Sequence, residues 1–337
     1  MDFTISLKFF KRRSMEPVSF DVKGIFAAAG IKPLPVPGVV LLYERMEVPE
    51  QNPHDEWITL GLVAMNELAS SGFNPKSVAD VGTGNGILSI GLAHIFMPST
   101  IYLTDIVEGL LGHCKKNLEN NLKPLKKYHP LIILKSGRDA EPLPDESFDL
   151  VVFSPPPLMV KNEGKLSIGL SRTTLIEFGF YSNFARNKTD PLLRWSVLPW
   201  YAFLEGVKKK IKKNGFILGL YSGRVPFKVI EEAYKRAGLK LRVVKSIIKK
   251  QQDARYLAEY AEHEENFLEG ETFDFYKYDD AKRLMESNGL EMPGVVDLPP
   301  AYLKEILKPA RISAVKAFEL SKKGLPVAHI GHALLGF

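Results

Sequence analysis

Between residues 77 and 249 the chain alternates short apolar runs with longer amphipathic segments. The short runs predict buried β-strands at 77–81, 100–104, 131–134, 148–153, 215–221 and 239–248, with a further strand at 272–278. Amphipathic segments predict helices that end near residues 95, 122 and 237. Strands that alternate with helices form parallel βαβ units, so the pattern predicts an α/β fold with a doubly wound, mostly parallel sheet. Ligands of such sheets bind at the carboxyl ends of the strands.

Three segments lie outside this pattern. Residues 1–50 contain several glycine and proline breaks and predict an N-terminal extension packed on the main domain, residues 51–280. Residues 159–197 form a long insertion after the fourth strand. Residues 281–337 predict a helical C-terminal extension in which 303–320 is amphipathic.

The composition is that of an ordinary globular protein, with 45% hydrophobic and 25% charged residues among 337. No apolar run approaches the roughly 18 residues of a membrane span, and residues 1–17 lack the apolar core of a signal peptide. The single cysteine, Cys114, cannot form an intrachain disulfide. We therefore expect a cytoplasmic protein without a membrane partner.

The net charge of +6 is too small to identify a nucleic-acid ligand. The densest basic cluster is Lys208–Lys210 with Lys212 and Lys213. It is interpreted as the solvated end of a helix that begins near Trp200, and a polyanion contact is the alternative.

A glycine-rich turn follows the first predicted strand of the sheet. Residues 80–86 read Asp-Val-Gly-Thr-Gly-Asn-Gly and open a helix. Glycines suit backbone that turns sharply against a ligand. The spacing differs from the G-x-G-x-x-G loop that binds a pyrophosphate, and the Asp80 carboxylate would repel such an anion. It suits a ligand with an ammonium and a sulfonium, although Asp80 could also simply cap the helix.

Two further acids follow the next two strands. Asp105 ends the second strand, where it could accept hydrogen bonds from both hydroxyls of a ribose. Asp139 follows the third strand and could accept from an adenine amino group. Capping of the helix that follows is the alternative for Asp105, and a purely structural role is the alternative for Asp139.

The fourth strand ends in Ser154-Pro155-Pro156-Pro157. Prolines have no N–H and a fixed φ, so this turn is stiff and offers only carbonyl acceptors. Such acceptors could grip the hydrogens of an amide or exocyclic amine and aim its lone pair. The alternative is a rigid strand exit without a catalytic role.

Together, residues 80–86, Asp105 and Ser154–Pro157 resemble the class I S-adenosylmethionine-dependent methyltransferases. The branch that they resemble most methylates amino groups and includes the release-factor glutamine and small-domain ribosomal RNA methyltransferases. The resemblance covers about residues 50–250, with a loose pre-motif match at Pro49–Trp57. It implies a seven-stranded Rossmann-like sheet with one reversed strand, and S-adenosylmethionine as cofactor. The cofactor contacts that it implies are Asp80, Gly82, Thr83, Gly84, Gly86, Asp105, Ile106, Asp139 and Ala140.

The sequence departs from that branch at two positions. Ser154 stands where an Asn or Asp is usual, and Pro157 stands where an aromatic is usual. The expected function is methyl transfer to an amino-type nitrogen of RNA, protein or a small molecule, with Ser154, Pro155, Pro156 and Pro157 as catalytic residues. The alternatives are an inactive scaffold that binds S-adenosylmethionine or RNA and, less favoured, an NAD-dependent dehydrogenase.

The insertion 159–197 interleaves basic and aromatic residues, which suits either a substrate lid or nucleic-acid binding, and we favour the lid. His329 and His332 suggest a metal pair. The surrounding glycines and the absence of a cysteine nearby argue against it, so no metal is predicted.

Overall fold

The computed structural model describes residues 17–35, 37–43, 46, 48–161, 175–251 and 253–337. The strands β1 to β14 are Val18–Asp21, Val39–Leu42, Ser77–Val81, Thr100–Asp105, Leu131–Ser136, Phe148–Phe153, Leu158–Val160, Leu175–Glu177, Ile211–Ser222, Leu241–Gln251, Phe275–Lys277, Gly294–Val296, Arg311–Ile312 and Val327–Gly336. The α-helices α1 to α12 are Lys23–Ala28, Trp57–Ser70, Ile87–Phe96, Glu108–Leu122, Phe178–Tyr181, Pro191–Arg194, Leu198–Val207, Phe227–Ala237, Ala254–Phe267, Tyr278–Ser287, Pro300–Leu307 and Ala314–Lys322.

Seven strands form the body of one sheet, in the order β5-β4-β3-β6-β9-β14-β10. The five strands from β5 to β9 are mutually parallel, and β14 runs antiparallel to both of its neighbours. The register places Leu334 between Gly219 of β9 and Val243 of β10. Short strands β11, β12 and β13 extend the sheet to ten strands. The α/β class, the mostly parallel sheet and the single reversed strand are confirmed.

Helices cover both faces of this sheet. Helices α2, α3 and α4 bury residues such as Met65, Ile90 and Leu118 on one face. Helices α7, α8 and α9 bury Trp200, Tyr234 and Tyr260, among others, on the opposite face. Because both faces are covered, the central strands are apolar throughout, which explains why short apolar runs located them.

Part of the N-terminal segment packs on α4 through two buried asparagines. Asn117 and Asn121 exchange side-chain hydrogen bonds with the backbone of β2 and with Gly38, at 2.8–3.0 Å. The first 16 residues of the predicted extension lie outside the described residues.

The basic cluster is arranged differently from the prediction. Helix α7 ends at Val207, so Lys212 and Lys213 lie in β9 and not on a helix end. Lys210 pairs with Asp145 at 2.7 Å and Lys212 pairs with Asp149 at 2.9 Å. These carboxylates partly neutralise the cluster.

The prediction that residues 281–337 are helical is wrong for the last part of this segment. Helices α11 and α12 lie within this segment, but Val327–Gly336 is a fully buried strand in the middle of the sheet. Its small residues allow close packing: a Cβ at Gly331 would overlap the Trp57 ring. The strand predicted at 272–278 is present as the three-residue β11. It pairs with β13 and the start of β14, so β14 and not β11 takes the seventh place in the body of the sheet.

Within the described parts of the chain, no helix combines the length and the apolar character needed to cross a bilayer.

Close packing between β9 and α7 predicts the effect of a single methyl group. A Cβ at Gly219 would overlap the Trp200 ring, so we expect Gly219→Ala to lower the free energy of unfolding by about 1–3 kcal/mol. Gly112 lies in α4 with open space around its Cα, so Gly112→Ala should raise that free energy by about 0.5–1 kcal/mol. Urea unfolding monitored by circular dichroism measures both, and equal effects would contradict the packing argument.

Candidate functional site

A cavity of about 780 Å³ opens at the carboxyl ends of the parallel strands. Its volume lies within the range of small-molecule sites. The strand ends contribute Val81, Asp105, Phe153 and Ser222 to its wall. This is the edge at which the fold places ligands.

The glycine turn forms one side of the cavity. Gly82, Gly84 and Gly86 have φ values of 66°, 50° and 82°, which favour glycine. A Cβ at Gly86 would also lie 2.8 Å from the Cys114 sulfur. Gly82, Thr83 and Gly84 line the cavity, whereas Gly86 turns the chain into helix α3 behind them.

Asp80 lies beneath this turn and not on the cavity wall. Its side chain is 1% exposed, and the hydroxyls of Thr83 and Ser89 donate hydrogen bonds to its Oδ2, the former at 3.0 Å. Burial raises the pKa of the Asp80 carboxyl to about 6, against the opposing effect of these hydrogen bonds. Asp80 therefore stabilises the loop through hydrogen bonds from below. The sequence predicted instead that Asp80 contacts the cofactor.

Asp105 joins the end of β4 to the turn. Its Oδ2 accepts a hydrogen bond from the Gly84 N–H at 3.1 Å, and its Oδ1 accepts from the Val107 N–H at 2.8 Å. Each carboxylate oxygen keeps a further lone pair. Burial raises the pKa of this carboxyl, although both backbone bonds lower it. Asp105 and Ile106 both line the cavity, as predicted positions for a ribose contact.

Asp139 lies further along the same wall, beside the insertion. The Tyr181 hydroxyl donates to its two carboxylate oxygens at 3.1 and 3.0 Å. Burial raises the pKa of Asp139 to about 6. The neighbouring Ala140 is buried and does not line the cavity. The Tyr181 partner was not foreseen, because it lies 42 residues away in the sequence.

Ser154 and the three prolines line the middle of the cavity. The indole N–H of Trp57 donates to Ser154 Oγ at 2.8 Å. Trp57 begins helix α2, which Glu56 caps through the Ile58 N–H at 2.9 Å. The predicted pre-motif segment thus contributes Trp57 to the cavity wall. Its acids, Asp55 and Glu56, accept hydrogen bonds from backbone N–H groups instead.

The far side of the cavity is formed by residues that the sequence analysis did not single out. They follow or end the strands β9 and β10 and begin β14, and they are Ser222, Arg224, Lys249, Gln251 and His329. Because ligands of such sheets bind at the carboxyl ends of the strands, the residues on and after β9 and β10 could have been predicted. His329 could not be placed without knowing that the C-terminus forms a strand.

His329 and His332 are buried on β14, and three positions along a strand separate their side chains to opposite faces. Burial lowers the pKa of both imidazoles, to about 3 for His332. The His332 Nδ1 lies 2.8 Å from the Ser246 hydroxyl. Among the described residues, no group of three His, Cys, Asp or Glu side chains is placed to hold a metal.

The insertion contributes Leu175–Glu177 and Gly179, Phe180 and Tyr181 to the cavity wall. Arg138 forms an ion pair with Glu177 and stacks on the Phe180 ring, 4.3 Å from its centroid. Arg194 pairs with Glu271 at 3.1 Å. Residues 162–174 of the insertion lie outside the described residues.

Comparison with known proteins identifies the segment around the turn. Residues 79–155 match the protein family described as Methyltransferase domain. A segment of 92 residues is 32% identical to a provisionally named methyltransferase of Methanocaldococcus jannaschii, over 26% of this chain and 33% of the relative. The chain thus spans about a third of the length of this curated relative. The family match covers the glycine turn, Asp105, Asp139 and Ser154.

Solved structures show more distant likenesses. The YcgJ protein of Bacillus subtilis is 9% identical, with 81% of this chain and 97% of that chain covered and a TM-score of 0.38. The ribosomal protein L11 methylase of Lactobacillus delbrueckii is 15% identical, with 55% and 69% covered and a TM-score of 0.36. A methyltransferase of Aquifex aeolicus is 16% identical, with 56% and 87% covered and a TM-score of 0.33. These likenesses are too distant to inform on the acceptor.

The buried carboxyl of Asp80 predicts a pH dependence of stability. Its folded-state pKa of about 6 lies above the ordinary value of 3.8, so the wild type loses stability as pH rises between these values. Asp80→Asn lacks this titration. We expect the difference in free energy of unfolding to shift in favour of Asp80→Asn by up to about 3 kcal/mol between pH 4 and pH 7.

Denaturant unfolding at several pH values measures this shift. Asp145→Asn is the control: the Lys210 ammonium lowers the pKa of the exposed Asp145 carboxyl, so the shift should have the opposite sign. A difference between wild type and Asp80→Asn that does not vary with pH would contradict the argument.

Proposed function

We propose that this chain transfers a methyl group from S-adenosylmethionine to an amino-type nitrogen of an acceptor bound beside Ser154. The observation that supports this most is the Asp105 carboxylate, which holds the Gly84 N–H at 3.1 Å and lines the same cavity as Ser154. A donor site and an acceptor site are thereby adjacent.

The residues at the turn fit this donor chemically. The G-x-G-x-G spacing of the loop 82–86 differs from the G-x-G-x-x-G loop that binds a pyrophosphate. The free lone pairs of Asp105 suit the two ribose hydroxyls, and Asp139 suits an adenine amino group. When bound, S-adenosylmethionine supplies an electrophilic methyl carbon on a sulfonium. The glycines leave room for that group against the backbone.

The acceptor side is organised by Ser154 and the prolines. Because the Trp57 indole occupies one lone pair of Ser154 Oγ, the hydroxyl keeps one lone pair and its own proton. The lone pair can accept one hydrogen of an amino group, and the Pro155 carbonyl can accept another. Holding the nitrogen in line with the methyl carbon can contribute about 7–11 kcal/mol of barrier reduction.

We assign the insertion 159–197 the role of a substrate lid. The bond from Tyr181 to Asp139 and the ion pair of Arg138 with Glu177 hold its described part against the donor half of the cavity. Exclusion of water there strengthens each of these polar contacts.

Donor binding tests this proposal. We expect S-adenosylhomocysteine to bind the wild type in isothermal titration calorimetry, and Asp105→Asn to weaken binding about tenfold or more. An amide at this position can accept from only one of the two backbone N–H groups that Asp105 holds, so the loop loses an anchor.

Asp149→Asn is the matched control. The Asp149 carboxylate also accepts two backbone N–H groups, from Lys76 and Ser77 at 2.9 Å, but at the opposite end of the sheet. It should leave the affinity unchanged. Absence of binding by the wild type, or equal binding by Asp105→Asn, would overturn the proposal, and binding of NAD instead would favour a dehydrogenase.

Turnover is tested with a donor that carries a labelled methyl group, incubated with separate RNA, protein and metabolite fractions. Label should enter one fraction with the wild type and at a lower rate with Ser154→Ala. Donor binding without any transfer would identify a non-catalytic scaffold.

A further inference from the structure

Arg224 is a buried cation on the far wall of the cavity, directly after β9. It is 3% exposed, and its guanidinium lies 5.0–5.3 Å from the ring centroids of Tyr256, Tyr260 and Phe275. Its Nη1 donates to Ser222 Oγ at 3.0 Å and its Nη2 donates to Gln251 Oε1 at 3.3 Å. These polar partners are neutral, and in the described part of the chain Arg224 Nε has no hydrogen-bond partner.

Lys249 is a second buried cation on the same wall. It lies on β10, is 8% exposed and pairs in register with His329 of β14. Within the described residues, neither Lys249 nor Arg224 forms an ion pair within 4 Å. Burial raises the pKa of Glu50, and the charge of Lys249 lowers it, so Glu50 lies close enough to offset part of the Lys249 charge.

The carboxylate of Asp274, whose backbone is hydrogen-bonded to that of Arg224, is already paired with other cations. The Asp274 N–H donates to the Arg224 carbonyl at 2.8 Å, yet the Asp274 carboxylate pairs with Lys304 at 2.6 Å and with Arg311. His329 stays neutral and adds no charge, since burial and then the charges of Arg224 and Lys249 lower its pKa well below the usual range. This end of the cavity is therefore positive.

The two halves of the cavity belong to different strands. The acids at the donor side stand on or after β3, β4 and β5, and Ser154 follows β6 in the middle of the sheet. Arg224 follows β9 and Lys249 lies on β10, on the other side of β6. Since neighbouring strands lie about 4.8 Å apart, β10 is about 14 Å from β6. The two cations thus lie beyond Ser154 as seen from the donor-side acids, in the acceptor half of the cavity.

We infer that Arg224 and Lys249 bind an anionic group, a carboxylate or a phosphate, on a small-molecule methyl acceptor. A buried cation without a counter-ion is stabilised by an anion that enters with the ligand, and guanidinium groups match both kinds of anion. Both cations are buried and line the cavity, which suits a small molecule and not a polymer backbone. This inference rests on the proposed function.

Paired probes test the anion site in the presence of saturating S-adenosylhomocysteine. Benzoate and phenyl phosphate carry the charge, and benzamide is the uncharged match for benzoate. We expect at least one of the two anions, but not benzamide, to raise the melting temperature of the wild type, because a ligand that binds the folded state stabilises it. Equal effects of benzoate and benzamide, with none from phenyl phosphate, would overturn the inference.

Variants assign that effect to the two cations. Arg224→Gln and Lys249→Gln should each weaken anion binding about tenfold or more. Arg242→Gln, an exposed site near the other end of β10, should leave it unchanged. The melting temperature without probe reports whether each variant is folded, and two independent variants keep the test valid if one is not. Unchanged anion binding in both would overturn the inference.

The donor measurement separates this inference from the proposed function. If Arg224→Gln weakens S-adenosylhomocysteine binding as much as anion binding, Arg224 serves the donor carboxylate and the inference is wrong, while donor binding stands. If the wild type binds no S-adenosylhomocysteine, the proposed function fails, and a retained anion effect still supports a cation site.

The source of the anion is found by labelled transfer into a metabolite pool split by anion exchange. Label should enter the retained fraction. Loss of transfer after phosphatase treatment identifies a phosphate, and loss after carbodiimide amidation identifies a carboxylate. Label in RNA or protein, with none in the retained metabolites, would overturn the inference.

Discussion

The hydrogen bond from the Gly84 N–H to the Asp105 carboxylate is the contact on which the site depends. It joins the turn after β3 to the end of β4, so two parallel strands present one continuous surface. Asp80 supports the same turn from below through Thr83 and Ser89. The Asp105 carboxylate lines the cavity, because Asp105 is the last residue of β4. Asp80 lies inside β3 and is sealed beneath the turn.

The reversed strand β14 lies within the half of the cavity proposed for the acceptor. Inserted between β9 and β10, it brings His329 beside Lys249 and within the electric field of Arg224. The half proposed for the donor carries acids, and the half proposed for the acceptor carries the buried cations Arg224 and Lys249. Ser154, fixed by the Trp57 indole, lies between them. A cationic donor and an anionic acceptor would each meet complementary charge.

Much of the donor half could be predicted from the sequence. The turn 80–86, Asp105 and Asp139 are each local features of a strand and the residues that follow it, and the apolar runs at 77–81 and 148–153 match β3 and β6 in full. The acceptor half could not be predicted in this way. Arg224, Lys249 and His329 come from three strands whose order depends on a C-terminal segment with a composition that favours no element.

The sequence by itself determined the alternation of strands and helices and the chemistry at the strand ends. Both depend on hydrophobic periodicity and on turn residues, which are properties of a few neighbouring positions. Only the tertiary structure decided which residues meet. Tyr181 reaches Asp139, Trp57 reaches Ser154, and Val327–Gly336 fills the gap between β9 and β10. These contacts join residues far apart in the chain, and their energy comes from burial and pairing that exist only after the sheet has formed.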